Sequence, residues 1–270
     1  MIELYQSSWN GVAFDEIVRE TGIDPSQVAD HHFYAAFYSR LRQNKFQLDA
    51  SWVEEKRLFT PWMQRFFDAR RAEKKGACEG ISIGAGIGIV EEPLLTLGYR
   101  IALQECQGES FEYLRRKGIA FEEVIGKDLS SVPSEAFDLA FLFGVSYVFS
   151  ADAYRPFLGE VARILRPGAT LLMWDPLAPL RDLPMLRTVR TGIKRVIGRR
   201  GRDQVLWGWL RTPAEHRAAL EGAGLRVERT FFLNRRAEAV DRPFLPLGLT
   251  LPNSSAVTQW ALARRGPAET

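Results

Sequence analysis

The hydrophobic pattern of this chain changes period near residue 80. Before it, apolar and aromatic residues recur at helical spacing. One run carries Val28, Phe33, Ala36, Phe37 and Leu41, a second Trp52, Val53 and Phe59, and a third Trp62, Met63, Phe66 and Phe67. Asp24-Pro25-Ser26, Asp49 or Ser51, and Thr60-Pro61 supply the starts, proline being tolerated in a first helical turn. Residues 1–75 therefore read as a helical cap, followed by a second region, 76–270.

Beyond that point short apolar runs alternate with helical patterns. Strands are predicted at 80–83, 100–104, 121–126, 137–144, 170–174, 225–233 and 257–264. The run FDLAFLFG at 137–144 is almost continuously apolar, as in a strand covered on both faces of a parallel sheet. Helices are predicted from 87 onward and over 109–117, 153–165 and 213–222, with Gly98, Gly118 and Arg166-Pro167-Gly168 as stops. This alternation implies right-handed βαβ units and an α/β, doubly wound, mostly parallel seven-stranded sheet. Residues 177–212 interrupt it as a helical insertion.

The first strand runs into Gly84-Ala85-Gly86-Ile87-Gly88. Glycine here opens backbone angles closed to other residues and keeps side chains away from a ligand. A helix that follows directly would aim its free amides at the same spot. A nicotinamide fingerprint would need a third small residue where Ile89 stands. A nicotinamide-dependent oxidoreductase is therefore the weaker alternative.

Composition narrows the class further. Hydrophobic residues make up 46% and charged residues 26%, as in a globular protein with a substantial core. No basic segment followed by an apolar run opens the chain, and no apolar run spans a bilayer, so a cytoplasmic protein is expected. Cys78 and Cys106 lie outside ligand spacing, and no His/Asp/Glu cluster suggests a metal.

The net charge of +3 is uneven: residues 181–202 carry eight basic residues against Asp182. Leu186, Val189, Ile193, Val196 and Ile197 form an apolar stripe within the same stretch. A lid helix with a solvated basic side is the simplest account. The arginines would equally suit a phosphate or carboxylate on a substrate. Alternatively, 183–202 could rest on an anionic membrane surface. A nucleic-acid partner is not expected, because the basic stretch is short and no recognition module accompanies it.

The G-x-G-x-G corner at 84–88 resembles the first motif of class I, Rossmann-like S-adenosylmethionine-dependent methyltransferases. Four more places are similar to that family: Glu105 about 20 residues after the corner, Lys127-Asp128-Leu129, the strand 137–144 with Val145-Ser146-Tyr147, and the run from Glu160 through Arg166-Pro167-Gly168-Ala169. The resemblance covers 80–174 closely and 213–264 loosely. It implies that S-adenosylmethionine is held by Ser82, Gly84, Ala85, Gly86, Gly88, Glu105, Cys106, Asp128, Leu129, Phe143 and Gly144. Glu105 would take the ribose hydroxyls and Asp128 the adenine amine, with the backbone of Leu129 beside it. Ser82 stands where the family usually has an acid. Either the cofactor is held more weakly, or another acid replaces it, or the chain is a cofactor-binding module without catalysis.

The reaction implied is displacement at the cofactor's methyl carbon, in which the protein aligns the acceptor, excludes water and removes a proton from a hydroxyl. Histidine suits that proton transfer. His31, His32 and His216 are the three present, with Tyr147 as a further contact. His31 and His32 are adjacent, so at most one faces a given pocket; His216 also reads as a solvated first-turn residue. The family's N-terminal helices cover the active site, which adds Tyr34, Tyr38, Trp52 and Arg57 as pocket candidates. The expected acceptor is a small molecule or glycan, methylated at a hydroxyl: a sugar, a nucleotide-linked sugar or a secondary metabolite. Trp207-Gly208-Trp209 could stack on a base but reads rather as core or pocket wall.

Overall fold

The N-terminal region opens with strands, which corrects the all-helical expectation for 1–75. In the computed structural model, which describes residues 2–4, 8–22, 31–176, 206–208, 211, 213–233, 239–240 and 258–266, β1 (Ile2–Leu4) precedes a hairpin of β2 (Ser8–Trp9) and β3 (Val12–Ala13). The hairpin turns on Asn10 and Gly11, at φ 48° and 73°. A two-residue loop with both φ positive matches strand twist, and Asn-Gly is the pair that adopts it most readily. Then come α1 (Phe14–Thr21), α2 (His31–Gln43), α3 (Ala50–Arg57) and α4 (Thr60–Lys74), the last with Pro61 in its first turn as expected. The predicted helix start at Asp24 lies outside the described residues.

The α/β region follows the predicted alternation: β4 (Gly80–Ile83), α5 (Glu92–Thr96), β5 (Ile101–Glu105), α6 (Glu112–Arg116), β6 (Glu122–Ile125), β7 (Phe137–Phe143), α7 (Ala151–Ile164) and β8 (Leu165–Pro176). After it stand β9 (Leu206–Gly208), α8 (Pro213–Gly222), β10 (Leu225–Leu233), β11 (Ala239–Val240) and β12 (Thr258–Arg265). The main sheet has the order β6-β5-β4-β7-β8-β12-β10, with the two-residue β11 on its outer edge. Neighbours from β6 to β8 pair in parallel, and β12 is antiparallel to both β8 and β10. The order reverses at β4, which pairs with β5 on one side and β7 on the other. Such switch points form a crevice at the carboxyl ends of the strands.

The expected stop at Arg166-Pro167-Gly168 is absorbed into β8. Leu165 pairs with Phe137 and Thr170 with Leu139, so residues 166–169 bulge between two paired positions. From this bulge Arg166 reaches Asp138 at 2.8 Å, and Lys74, the last residue of α4, reaches the same carboxylate at 2.7 Å. The Glu79 amide adds a third donor at 3.0 Å. Asp138 thereby ties the end of the cap helices to the base of the sheet.

Three apolar clusters fill the described part of the molecule. One face of the sheet packs against Tyr154, Leu158 and Val161 of α7 and Leu220 of α8; the other packs against Met63 and Phe67 of α4, Leu94 of α5 and Leu114 of α6. The third joins the cap to the corner: Phe14, Phe33, Phe37 and Leu41 pack around Ile87 and Ile89. The apolar stripe read as cap core is thus the layer that seats the cap on the glycine turn. β1 pairs antiparallel with β9, so Leu206–Gly208 is strand where the sequence suggested a helical insertion. Residues 177–205, including the basic stretch 183–202, lie outside the described residues.

Candidate active site

A cavity of about 290 Å³ opens where β4, β5, β7 and β8 end beneath the cap. Its floor is the glycine corner. Here the structure corrects the expectation that a following helix points free amides at a ligand. Gly84 donates to Gln104 Oε1 at 3.0 Å, Ala85 to the Gln104 carbonyl at 3.1 Å, Gly86 to Glu105 Oε2 at 2.9 Å and Gly88 to the Ala85 carbonyl at 3.0 Å. Turns occupy 89–91, and α5 begins only at Glu92, next to Pro93. At Gly84 and Gly86 the corner therefore offers a bare Cα surface, their amides being already engaged.

Gly84 is needed for packing as much as for a ligand. With φ at 64°, a Cβ there would lie 2.5 Å from Val145 Cγ2. Gly86 differs: its Cβ would meet only the Tyr38 hydroxyl, at 3.2 Å. That leaves its cavity side open to a ligand's close approach.

Glu105 ends β5 facing the cavity and is 7% exposed. Its Oε1 accepts from the Cys106 amide at 2.8 Å, and its Oε2 accepts from Gly86 and lies 3.5 Å from the Tyr38 hydroxyl. Burial raises its carboxyl above the usual range, while the Cys106 and Gly86 amides work against that rise. A carboxylate so bound keeps lone pairs for a diol. Asp128 sits at the rim, where the Ser130 hydroxyl and amide hold its carboxyl below the usual range. Ser82 and Glu91 form a second buried pair, with Ser82 Oγ donating to Glu91 Oε1 at 2.6 Å.

The cap supplies the roof. Tyr34, Tyr38, Trp52 and His31 come from α2 and α3, and Tyr147 from the loop after β7. The Tyr34 and Tyr147 hydroxyls share a short hydrogen bond. Burial first, then the neighbouring phenol, pushes Tyr34 well above the ordinary tyrosine range.

Residues 81–173 match the family model described as a methyltransferase domain. This segment is a methyltransferase domain with the fold of the class I, S-adenosylmethionine-dependent type. Solved methyltransferases share its fold. The 1,6-didemethyltoxoflavin-N1-methyltransferase of Burkholderia thailandensis, with S-adenosylhomocysteine bound, aligns at TM-score 0.55 and 17% identity over 90% of this chain and 93% of that one. A SAM-dependent methyltransferase from Methanosarcina mazei gives 0.52 and 16% over 71% and 93%. Magnesium protoporphyrin IX methyltransferase from Synechocystis PCC 6803 gives 0.50 and 12% over 93% and 94%. No curated protein matches the chain's sequence significantly.

The cavity brings together every residue expected to hold the cofactor except Gly88. Ser82, Gly84, Ala85, Gly86, Glu105, Cys106, Asp128, Leu129, Phe143 and Gly144 all line it. Gly88 stands behind, where a Cβ would strike Leu114 Cδ1 at 2.5 Å. Of the proton-transfer candidates, His31 and Tyr147 line the cavity; His32 is exposed and outside it.

His216 is corrected on both readings, since it is neither solvated nor at the site. It is 1% exposed, with Nδ1 3.0 Å from the Tyr154 hydroxyl on α7. Burial, and then the Arg211 charge, lower its pKa to about 4. Arg57 turns away to Glu92 at 3.3 Å. Its neighbour Lys56 lines the cavity instead, 5.8 Å from the Trp52 ring centre and 5.4 Å from that of Trp174. Gln104, Glu91 and Lys56 were not singled out by the sequence. Among the described residues no helix is long and apolar enough to cross a membrane.

Proposed function

We propose that this protein uses S-adenosylmethionine to methylate a hydroxyl of a small-molecule acceptor admitted beneath the cap. One observation carries the reading: the cavity is continuous from the Gly84–Glu105 corner to the His31, Tyr34 and Tyr147 wall. The cofactor would supply a methyl group already activated on a sulfonium. In this reading Glu105 would accept from the ribose hydroxyls, the bare Cα of Gly86 would admit the nucleoside closely, and Asp128 would accept from the adenine amine. Tyr34, Tyr38 and Trp52 would exclude water, and His31 would take a proton from the acceptor hydroxyl.

The aromatic wall of Trp52, Phe59 and Trp174 suits the flat or apolar face of a sugar or secondary metabolite. Lys56 between two indoles suits an acceptor carrying a carboxylate or phosphate. The Burkholderia and Synechocystis proteins are named for small-molecule acceptors, which favours this class over a macromolecule.

The test follows transfer of labelled methyl from S-adenosylmethionine to a panel of hydroxylated metabolites and nucleotide-linked sugars. An acceptor should be labelled by the wild-type protein and by His32→Ala. His31→Ala should turn over at least about 100-fold more slowly while binding S-adenosylhomocysteine normally. Binding of the cofactor without transfer to any acceptor would leave a non-catalytic module; binding of NAD in its place would discard the donor.

A further inference from the structure

Among the described residues two buried carboxylates face the cavity, and they differ in what they lack. Glu105 has backbone amides on both oxygens. Glu91, 2% exposed, has Ser82 on Oε1, while its Oε2 is buried with no hydrogen-bond donor among the described residues. An ionised carboxylate oxygen in that condition is costly, and a cation beside it removes the cost. Ser82 lies on β4, paired at Leu103 of β5 and Phe141 of β7. Glu91, in the turn before α5, is therefore tied through Ser82 to the switch-point strand, on the corner side of the cavity.

We propose that Glu91, set in place by Ser82, receives the ammonium group of the cofactor's amino-acid portion. The inference rests on S-adenosylmethionine being the donor. That molecule carries a primary ammonium beyond its ribose, and Glu91 is the buried cavity carboxylate with an oxygen to spare. A short Ser82 bonded to a longer-reaching Glu91 does the work of one acid on the strand. The Ser82 position is thus not a lost function: its charge arrives from nine residues downstream.

The electrostatics agree with this assignment. Burial lifts the Glu91 carboxyl to about 7, with the Ser82 hydrogen bond, local amides and the Lys56 charge pulling the other way. Around it, Ser82 on β4 is neutral, Lys56 on α3 is the charge that acts on it, and Glu92 is engaged with Arg57 and Lys117. An arriving ammonium favours the ionised form, so binding near pH 7 releases protons from Glu91.

Calorimetric titration of the full-length protein and Glu91→Gln tests this, using S-adenosylhomocysteine and its desamino analogue, which keeps the carboxylate. We expect Glu91→Gln to bind S-adenosylhomocysteine at least about 30-fold more weakly and the desamino analogue unchanged. Repeated at pH 7 in two buffers of different ionisation enthalpy, the wild-type protein should release about half a proton more than Glu91→Gln.

Equal affinity of the two proteins for S-adenosylhomocysteine would overturn the proposal while leaving the donor reading intact. So would equal weakening for both ligands, or lost methyl transfer at unchanged affinity, which would make Glu91 an acceptor-side residue. Failure of the wild-type protein to bind S-adenosylhomocysteine would overturn the donor reading, and this inference with it.

Discussion

The side chain of Gln104 carries the glycine corner, its Oε1 accepting from the Gly84 amide at 3.0 Å. Its Nε2 donates to the Gly126 carbonyl at 2.7 Å, so one buried amide fixes the corner to the end of β6. Gln104→Leu keeps the apolar stem but leaves both backbone groups without their partner. Each such loss costs roughly 1–3 kcal/mol. Urea unfolding should show a drop of about 3 kcal/mol, and calorimetry weaker S-adenosylhomocysteine binding; an unchanged midpoint would remove Gln104 from this role.

Gly84 and Gly86 should respond differently to an added methyl group. Both have positive φ, but only Gly84 has a carbon within 2.5 Å of the new Cβ. Gly84→Ala is expected to lose about 3 kcal/mol through overpacking and backbone strain. Val145→Ala in the same chain should recover part of it, because the original Val145 Cβ stands off at 3.4 Å. Gly86→Ala should cost less stability and more cofactor affinity, as thermal melts with and without S-adenosylhomocysteine would record.

His216 should make stability depend on pH in one direction. Its folded pKa of about 4 lies below the ordinary value of 6.5, so the unfolded chain binds the extra proton between those limits. Its contribution is intact above pH 6.5 and is lost as pH falls toward 4, about 2 kcal/mol of it between pH 7 and pH 5. Glu91, raised to about 7, works in the opposite sense by taking up a proton in the folded state. The difference between wild-type protein and His216→Gln is therefore the measurement: urea titrations at both pH values should show His216→Gln losing less on acidification.

Asp138 accepts from Lys74, Arg166 and the Glu79 amide, and these partners lower its pKa despite burial. Its share of stability is present above the ordinary carboxyl range and lost as pH falls below it. Asp138→Ala leaves two cations facing an empty site. Because both cations are partly exposed, the cost is at the low end of buried-pair values, about 3 kcal/mol. Unfolding indistinguishable from wild type would reduce the triad to decoration.

What could be read from the sequence was local. The corner at 84–88, the strand 137–143 and the helix 213–222 announce themselves through glycine spacing and apolar period, and all three stand where expected. Asn10-Gly11 is an equally local hairpin signal, masked by the helical pattern that follows it. Gln104 and Glu91 could not be read that way. A single polar residue among apolar neighbours acquires a role only when another strand or turn delivers its partner. His216 misled for a related reason: helical spacing sets it on the face of buried Leu220, four residues on, rather than toward solvent.

The pairing of Ile2 with Gly208 has a consequence for how the chain is made. During synthesis β1 emerges about 200 residues ahead of its partner β9, which follows only with residues 206–208. At roughly 5–20 residues per second that interval is on the order of ten seconds or more. The corner and strands β4 to β8 are complete well before it ends. β1 is thus made early and fastened late, beside a corner that already exists.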